Sequence, residues 1–229
     1  MLCSVDSWVE GDPGQGFPLP GAIYRHFDII CKYVRINRRT MMTKTSETTP
    51  PYTGKREAIV DAAAIVFARY GFARTSMADL AQAVGMSRTA LYPLFRNKSD
   101  VFDAVIRHAV AKTIAAIRQE LDQHETLDAK LRFALVDWIV RGYEFVHAMP
   151  DARDLFDYSV PAVQEAYTAM EALLAEILAA HVDRPDVDVR LLARIMTATF
   201  RSLKEVAVDT ADLRRMIDLE ITVIVAALR

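Results

Sequence analysis

Arg88, Thr89 and Tyr92 stand just behind a Gly85-Met86-Ser87 turn, with Arg74, Arg96 and Lys98 close by in the chain. Guanidinium, hydroxyl and ammonium groups in that grouping suit the oxygens of a nucleic-acid backbone and the edges of its bases. A guanidinium fork matches guanine in the major groove, while hydroxyls and an ammonium hold phosphates. Other chemistries find less support. His108, His147 and His181 lack Cys or acidic partners at ligand spacing, so no metal is expected. His124-Glu125 lacks the second His of a zinc protease motif, and neither a glycine-rich phosphate loop nor a G-x-S-x-G elbow occurs. No catalytic residue and no cofactor are expected.

Two short helices must carry these groups. Ser76 is a start signal, with Asp79 placed to reach back to it, and Leu80, Ala81 and Val84 supply an apolar face. Gly85 takes the chain out of the helix, because a residue without Cβ enters the left-handed region freely. Ser87 caps the next helix, which points Leu91, Leu94 and Phe95 inward and Arg88, Thr89 and Tyr92 outward. Pro93 removes one N–H near the end of this two-turn helix, which predicts a tightened last turn and not a break. Helix, glycine turn, helix is an arrangement whose second helix fits a major groove.

The flanking pattern is helical throughout. Lys55 to Tyr70 has Ala58, Ile59, Ala62, Ala63, Val66 and Phe67 on one face and ends at Gly71. Asn97 caps a helix from Lys98 to about Leu121, with Val101, Phe102, Val105, Ile106, Ala109, Thr113 and Ile117 inward. It is roughly 35 Å long at 1.5 Å per residue, enough to join the basic end to the remaining body. Further helices are expected over Leu127–Ala148, from Ser159 and Pro161 to about His181, over Val187–Val208, and over Ala211–Leu228 capped by Thr210. No β pattern and no membrane-spanning apolar run occurs. The last two helices are apolar on more than one face, which predicts a homodimer through Leu192, Ile195, Met196, Leu203, Leu213, Met216, Ile217 and Ile224.

Residues 55 to 102 resemble the DNA-binding domain of the TetR family of bacterial transcriptional regulators. The resemblance rests on Phe67-x-x-x-Gly71-Phe72, Thr75-Ser76-Met77-Ala78-Asp79-Leu80-Ala81, Val84-Gly85-Met86-Ser87, Leu91-Tyr92-x-x-Phe95 and Lys98-x-x-x-Phe102. It covers about a fifth of the chain. Thr89-Ala90 and Pro93-Leu94 depart from the family pattern on or near the groove-reading face, so no operator sequence carries over. The resemblance implies an all-α fold of about nine helices, with an N-terminal three-helix helix-turn-helix domain and a C-terminal helical bundle. It implies double-stranded DNA with a palindromic operator as partner, a homodimer, and an unidentified small-molecule effector. Arg88 is expected on a base edge with Thr89 and Ala90 beside it, and Thr75, Ser76, Ser87, Tyr92 and Lys98 on phosphates. Trp138, Tyr143, Phe156, Tyr167, Met170 and Phe200 are of the kind that line a ligand cavity in relatives. The expected function is a ligand-released repressor in the cytoplasm, not membrane-bound. An effector would act by tilting the Lys98–Leu121 helix and changing the spacing of the two readers. The alternative is an all-helical small-molecule-binding or catalytic protein whose helix-turn-helix does not read DNA.

Charge is partitioned accordingly. Residues 55–100 hold 7 basic and 4 acidic side chains, and residues 101–229 hold 15 and 21. A positive module on a negative body suits phosphate contact at one end. The expected division is a disordered extension at 1–53, the helix-turn-helix domain at 54–100, and the ligand-binding and dimerisation domain at 101–229. The extension carries Cys3 and Cys31, implying no disulfide framework. Its basic cluster Lys32, Arg35, Arg38 and Arg39 reads as a DNA-contacting arm or, the favoured readings together, as a disordered tail or a start codon placed too early, with the native start at Met41 or Met42.

Overall fold

A computed structural model describes residues 52–229, with side chains from Gly54, and the expectations for the N-terminal segment lie outside the described residues. Among those residues there are nine α-helices and no strand: α1 Tyr52–Arg74, α2 Met77–Ala83, α3 Arg88–Leu91, α4 Lys98–Leu121, α5 Leu127–Leu135, α6 Arg141–Ala148, α7 Pro161–Ala179, α8 Val189–Val206 and α9 Thr210–Ala227. A π turn, Val136–Val140, joins α5 to α6, and a 3-10 segment, Pro150–Phe156, follows α6. The Leu127–Ala148 helix of the sequence is thus one rod with a bulge in it. No described helix is long and apolar enough to cross a membrane.

α1 buries Ile59, Val60, Ala63, Ala64, Phe67 and Ala68. That stripe is turned from the expected one: Ala58 is exposed, and Ala62 and Val66 are only half-buried. The helix breaks at Gly71, whose φ of 72° and ψ of 168° are open only to a residue without Cβ. Phe67, Phe72 and Phe102 pack edge-to-face and tilted just beside this break, seating α1 on α4. α4 has the expected bounds, and Asn97 Oδ1 accepts from Asp100 N at 2.9 Å. The last helix is capped by Asp209 and not Thr210, because the Asp209 carboxylate accepts from Asp212 N at 2.7 Å.

Two apolar cores result. The first joins α1–α4 to Phe145, Met149, Ala152, Val163 and Tyr167 of the body. The second lies among α4, α5, α7, α8 and α9. Helices α1–α3 therefore have no core of their own; they share it with α4, α6, the 3-10 segment and α7.

A polar link adds to this seam. Asp61 on α1 accepts from Lys112 Nζ at 3.2 Å and lies 3.1 Å from His108 Nε2, both on α4. Burial pushes the Asp61 carboxyl up, but the His108 hydrogen bond and the Lys112 charge together hold it below the usual carboxylate range. A carboxyl depressed in the fold lends stability above its unfolded pKa and loses it as pH falls through the folded value. Acidification below about pH 4 is therefore expected to weaken the α1–α4 seam. Denaturant midpoints should fall less steeply with acid in Asp61→Asn than in the wild type; parallel curves would exclude the link.

Candidate nucleic-acid interface

The basic end is assembled by caps. Ser76 N and Oγ donate to Asp79 Oδ2 at 2.8 and 2.7 Å, and Asp79 N returns a bond to Ser76 Oγ at 3.3 Å. These bonds hold the Asp79 carboxyl below its ordinary range. α2 ends with Gly85 N on the Gln82 carbonyl and Met86 N on the Ala81 carbonyl, the double closure of a left-handed glycine, here at φ 67°. Ser87 then accepts from Ala90 N at 3.2 Å and opens α3, with Thr89 Oγ1 3.0 Å from its hydroxyl. α3 is shorter than the two turns expected. Leu91 is its last regular residue, and its carbonyl takes both Leu94 N and Phe95 N at 3.0 Å across Pro93. Leu91 and Phe95 are buried, which fixes the angle at which Ser87, Arg88, Thr89, Ala90 and Tyr92 face outward.

The cations around α3 differ in what holds them. Arg74 pairs with Asp151. Arg96 binds Asp100 at 2.7 and 3.1 Å, and this bond holds the Asp100 carboxyl low. Lys98 Nζ donates to the Phe72 carbonyl at 2.6 Å and lies over the Phe72 ring. Arg88 and Lys98 both lack a carboxylate within ion-pair distance among the described residues, but the Lys98 ammonium is held by a backbone carbonyl and Arg88 is not. The Arg88 Nε and Nη2 donate to the Tyr92 hydroxyl at 3.2 and 3.0 Å. A neutral phenol steadies the guanidinium and leaves its charge for another partner.

Two expected phosphate ligands are placed differently by the fold. Thr75 is buried and its hydroxyl donates to the Gly71 carbonyl at 2.7 Å, so it closes the end of α1 instead of facing outward. The Lys98 ammonium is drawn to the end of α1 because the carbonyls there lack helical partners. The Thr75 bond is a local one, four residues back, but sequence spacing carries no sign of the Lys98 contact.

The expected ligand residues separate into two groups. Trp138, Phe156 and Tyr167 meet at one cavity with Val105, Ile106 and Lys204. Tyr143, Met170 and Phe200 are instead buried in the second core, and the Tyr143 hydroxyl donates to the Ala207 carbonyl at 3.3 Å. Lys204 is absent from the sequence expectation. Its signal was there, since Met196, Phe200 and Lys204 recur every four residues and place an amine on the inward stripe of α8. Among the described residues no group of His, Cys, Asp or Glu converges as metal ligands.

The expected dimer set also divides. Met196, Leu213 and Ile217 are wholly buried within their own chain and cannot meet a partner. Leu192, Leu203, Met216 and Ile224 are half-buried, and Ile195 is open. The large apolar side chains left to solvent on α8 and α9 are Leu191, Ile195 and Val206, and Leu219 and Val223. Both faces of each helix are apolar, so spacing alone assigned several residues to the wrong one.

A sequence profile of bacterial regulatory proteins, tetR family, matches residues 59–105, from α1 into α4. The HTH-type transcriptional repressor KstR2 of Rhodococcus jostii (strain RHA1) is 26% identical over 194 residues, covering 74% of this chain and 91% of that protein. The HTH-type transcriptional repressor Rv1474c of Mycobacterium tuberculosis (strain ATCC 25618 / H37Rv) is 35% identical over 79 residues, 34% of this chain and 41% of that protein. Among solved structures, a TetR-family transcriptional regulator from Rhodococcus sp. shares the fold, with a TM-score of 0.59 and 21% identity over 75% of this chain and 98% of that one.

Proposed function

We propose that this chain, a member of the TetR family of bacterial transcriptional regulators, is a homodimeric repressor that holds a palindromic operator and releases it when a small molecule enters the body cavity. It acts in the cytoplasm, where the DNA is. The observation that carries the DNA reading is Arg88, exposed on the helix behind the glycine turn, steadied by a phenol and unpaired with any described carboxylate. A guanidinium in that state gives its fork to a base edge, most naturally guanine. Ser87, Thr89 and Tyr92 stand beside it as phosphate donors, with Ala90 close enough to meet a thymine methyl, whereas the Ser76 hydroxyl gives its one hydrogen to Asp79.

A single helix this short reads little sequence. Two of them, one turn of the duplex apart, read a palindrome, and the apolar faces of α8 and α9 supply the pairing surface. Release runs through the 3-10 segment as well as through α4. Leu155 and Phe156 wall the cavity, while Asp154 Oδ2 accepts from Phe72 N at 3.0 Å and Asp151 pairs with Arg74. An effector that displaces this wall therefore moves the end of α1 and, with a tilt of α4, changes the spacing of the two readers. It lowers operator affinity only as far as it prefers the mis-spaced state.

Selection of bound sites from random duplexes tests the reading. An inverted repeat is expected; an enriched site without two-fold symmetry, or none, would remove it. On the recovered site, Arg88→Ala is expected to weaken binding by about 1–3 kcal/mol and to relax selectivity at one position of each half-site. Anisotropy titrations against single-base variants measure this, and unchanged selectivity would take Arg88 off the base edge.

A further inference from the structure

The cavity's polar groups bear on which molecules it takes. Val105, Ile106, Trp138 and Phe156 make its walls apolar, and Lys204 brings a cation to its edge. Lys204 Nζ donates to the Tyr167 hydroxyl at 2.6 Å, which uses one of its three hydrogens. One turn earlier on α8, Arg201 lies with its guanidinium 3.8 Å from the centre of the Tyr158 ring and 5.9 Å from that of Tyr167. Among the described residues neither Lys204 nor Arg201 has a carboxylate within 4.0 Å, although Arg107, Arg118, Arg132 and Arg141 on the surrounding helices all do.

A half-buried ammonium at an apolar space is costly unless an anion meets it. The fold supplies only ring faces and one phenol, so the missing charge must come with whatever fills the cavity. We propose that the cavity takes an apolar molecule ending in a free carboxylate, with the carboxylate on Lys204 and the Tyr167 hydroxyl and the hydrocarbon between Trp138, Val105, Ile106 and Phe156. Arg201 adds positive potential at the same side. A cationic ligand of the same shape is repelled, and a neutral one leaves Lys204 uncompensated. This assignment rests on the reading of the cavity as the effector site, and it also says which part of an effector does the displacing. The tail presses on Phe156, and the head anchors it to α8.

The test is calorimetric titration of the full chain, without DNA, with decanoate, phenylbutanoate, decan-1-ol and decylamine. At least one of the two acids is expected to bind, roughly tenfold or more tighter than the alcohol, with the amine weakest. Lys204→Met is expected to weaken the acid by that factor and to bind the alcohol at least as tightly as the wild type, since no uncompensated charge remains. Its melting temperature, measured in parallel, shows whether the fold is retained, and Tyr167→Phe gives a second, milder loss without removing the charge. Equal binding of acid and alcohol, unchanged acid binding in Lys204→Met, or no binding of either acid would each overturn the assignment. Acid binding that leaves operator affinity unmoved keeps the carboxylate site and removes only the effector reading.

Discussion

Leu219→Asp combined with Val223→Asp is expected to give a folded monomer that no longer holds its operator. Both side chains are more than half exposed in the single chain, so the substitutions touch little of its core. Surface changes of this sort shift stability by about 0.5 kcal/mol or less. In a dimer the same positions meet a symmetry mate, and each chain then buries two unpaired carboxylates against two more. Loss of pairing turns a two-site grip into a one-site grip, worth roughly 10²–10⁴-fold in affinity. Sedimentation, helical circular dichroism and operator titration of the same preparation read the three parts separately. A variant that stays dimeric would move the interface off α9. Ile217→Asp makes the contrast: it lies wholly inside the chain and should unfold it, not split it.

Gly71→Ala is expected to be the most damaging single-methyl change in the protein. The backbone there sits in a region essentially confined to glycine, a strain of about 1–3 kcal/mol for any other residue. The added Cβ would also stand 2.5 Å from the Asp151 carbonyl oxygen, a contact with backbone that no side-chain rotation relieves. Overpacking of that kind adds about 1–3 kcal/mol. The damage falls on the seat between α1 and the 3-10 segment, where Phe72 N meets Asp154 and Arg74 meets Asp151. Operator affinity should therefore fall and effector response should fade even at temperatures where the chain remains folded. Gly85→Ala is the control, with a similar φ at the turn between α2 and α3 and an expected cost nearer 1 kcal/mol. Equal melting temperatures for the two variants would show that the Asp151 contact carries no weight.

What the chain discloses before folding is local. Ser76, Ser87 and Asn97 cap the helices they were expected to cap, because a cap is an affair of three residues and needs no partner from elsewhere. Gly85 and the bounds of α4 are legible for the same reason. The phase of α8 and α9 is not, since two apolar faces on one helix give the same spacing whichever is turned to the core. Thr75 and Lys98 went to the end of α1, and Asp151 and Asp154 came to meet it from about eighty residues away. Such contacts depend on a kink at Gly71 whose direction no periodicity encodes. The cavity was half visible: its aromatics are of an ordinary core type, and only Lys204, one amine in an apolar row, distinguishes it. The π turn at Val136–Val140, which carries Trp138 to the same cavity, left no mark in composition at all.

On the function proposed above, two copies of this chain together grip a duplex through charged contacts. Titration of the purified chain against its selected duplex over a range of salt, with stoichiometry fixed by native mass, tests it most directly. Two chains per duplex are expected, with affinity falling steeply and linearly on logarithmic axes as salt rises, because each phosphate contact expels a counterion. One chain per duplex, or no retention on any duplex at low ionic strength, would contradict the account.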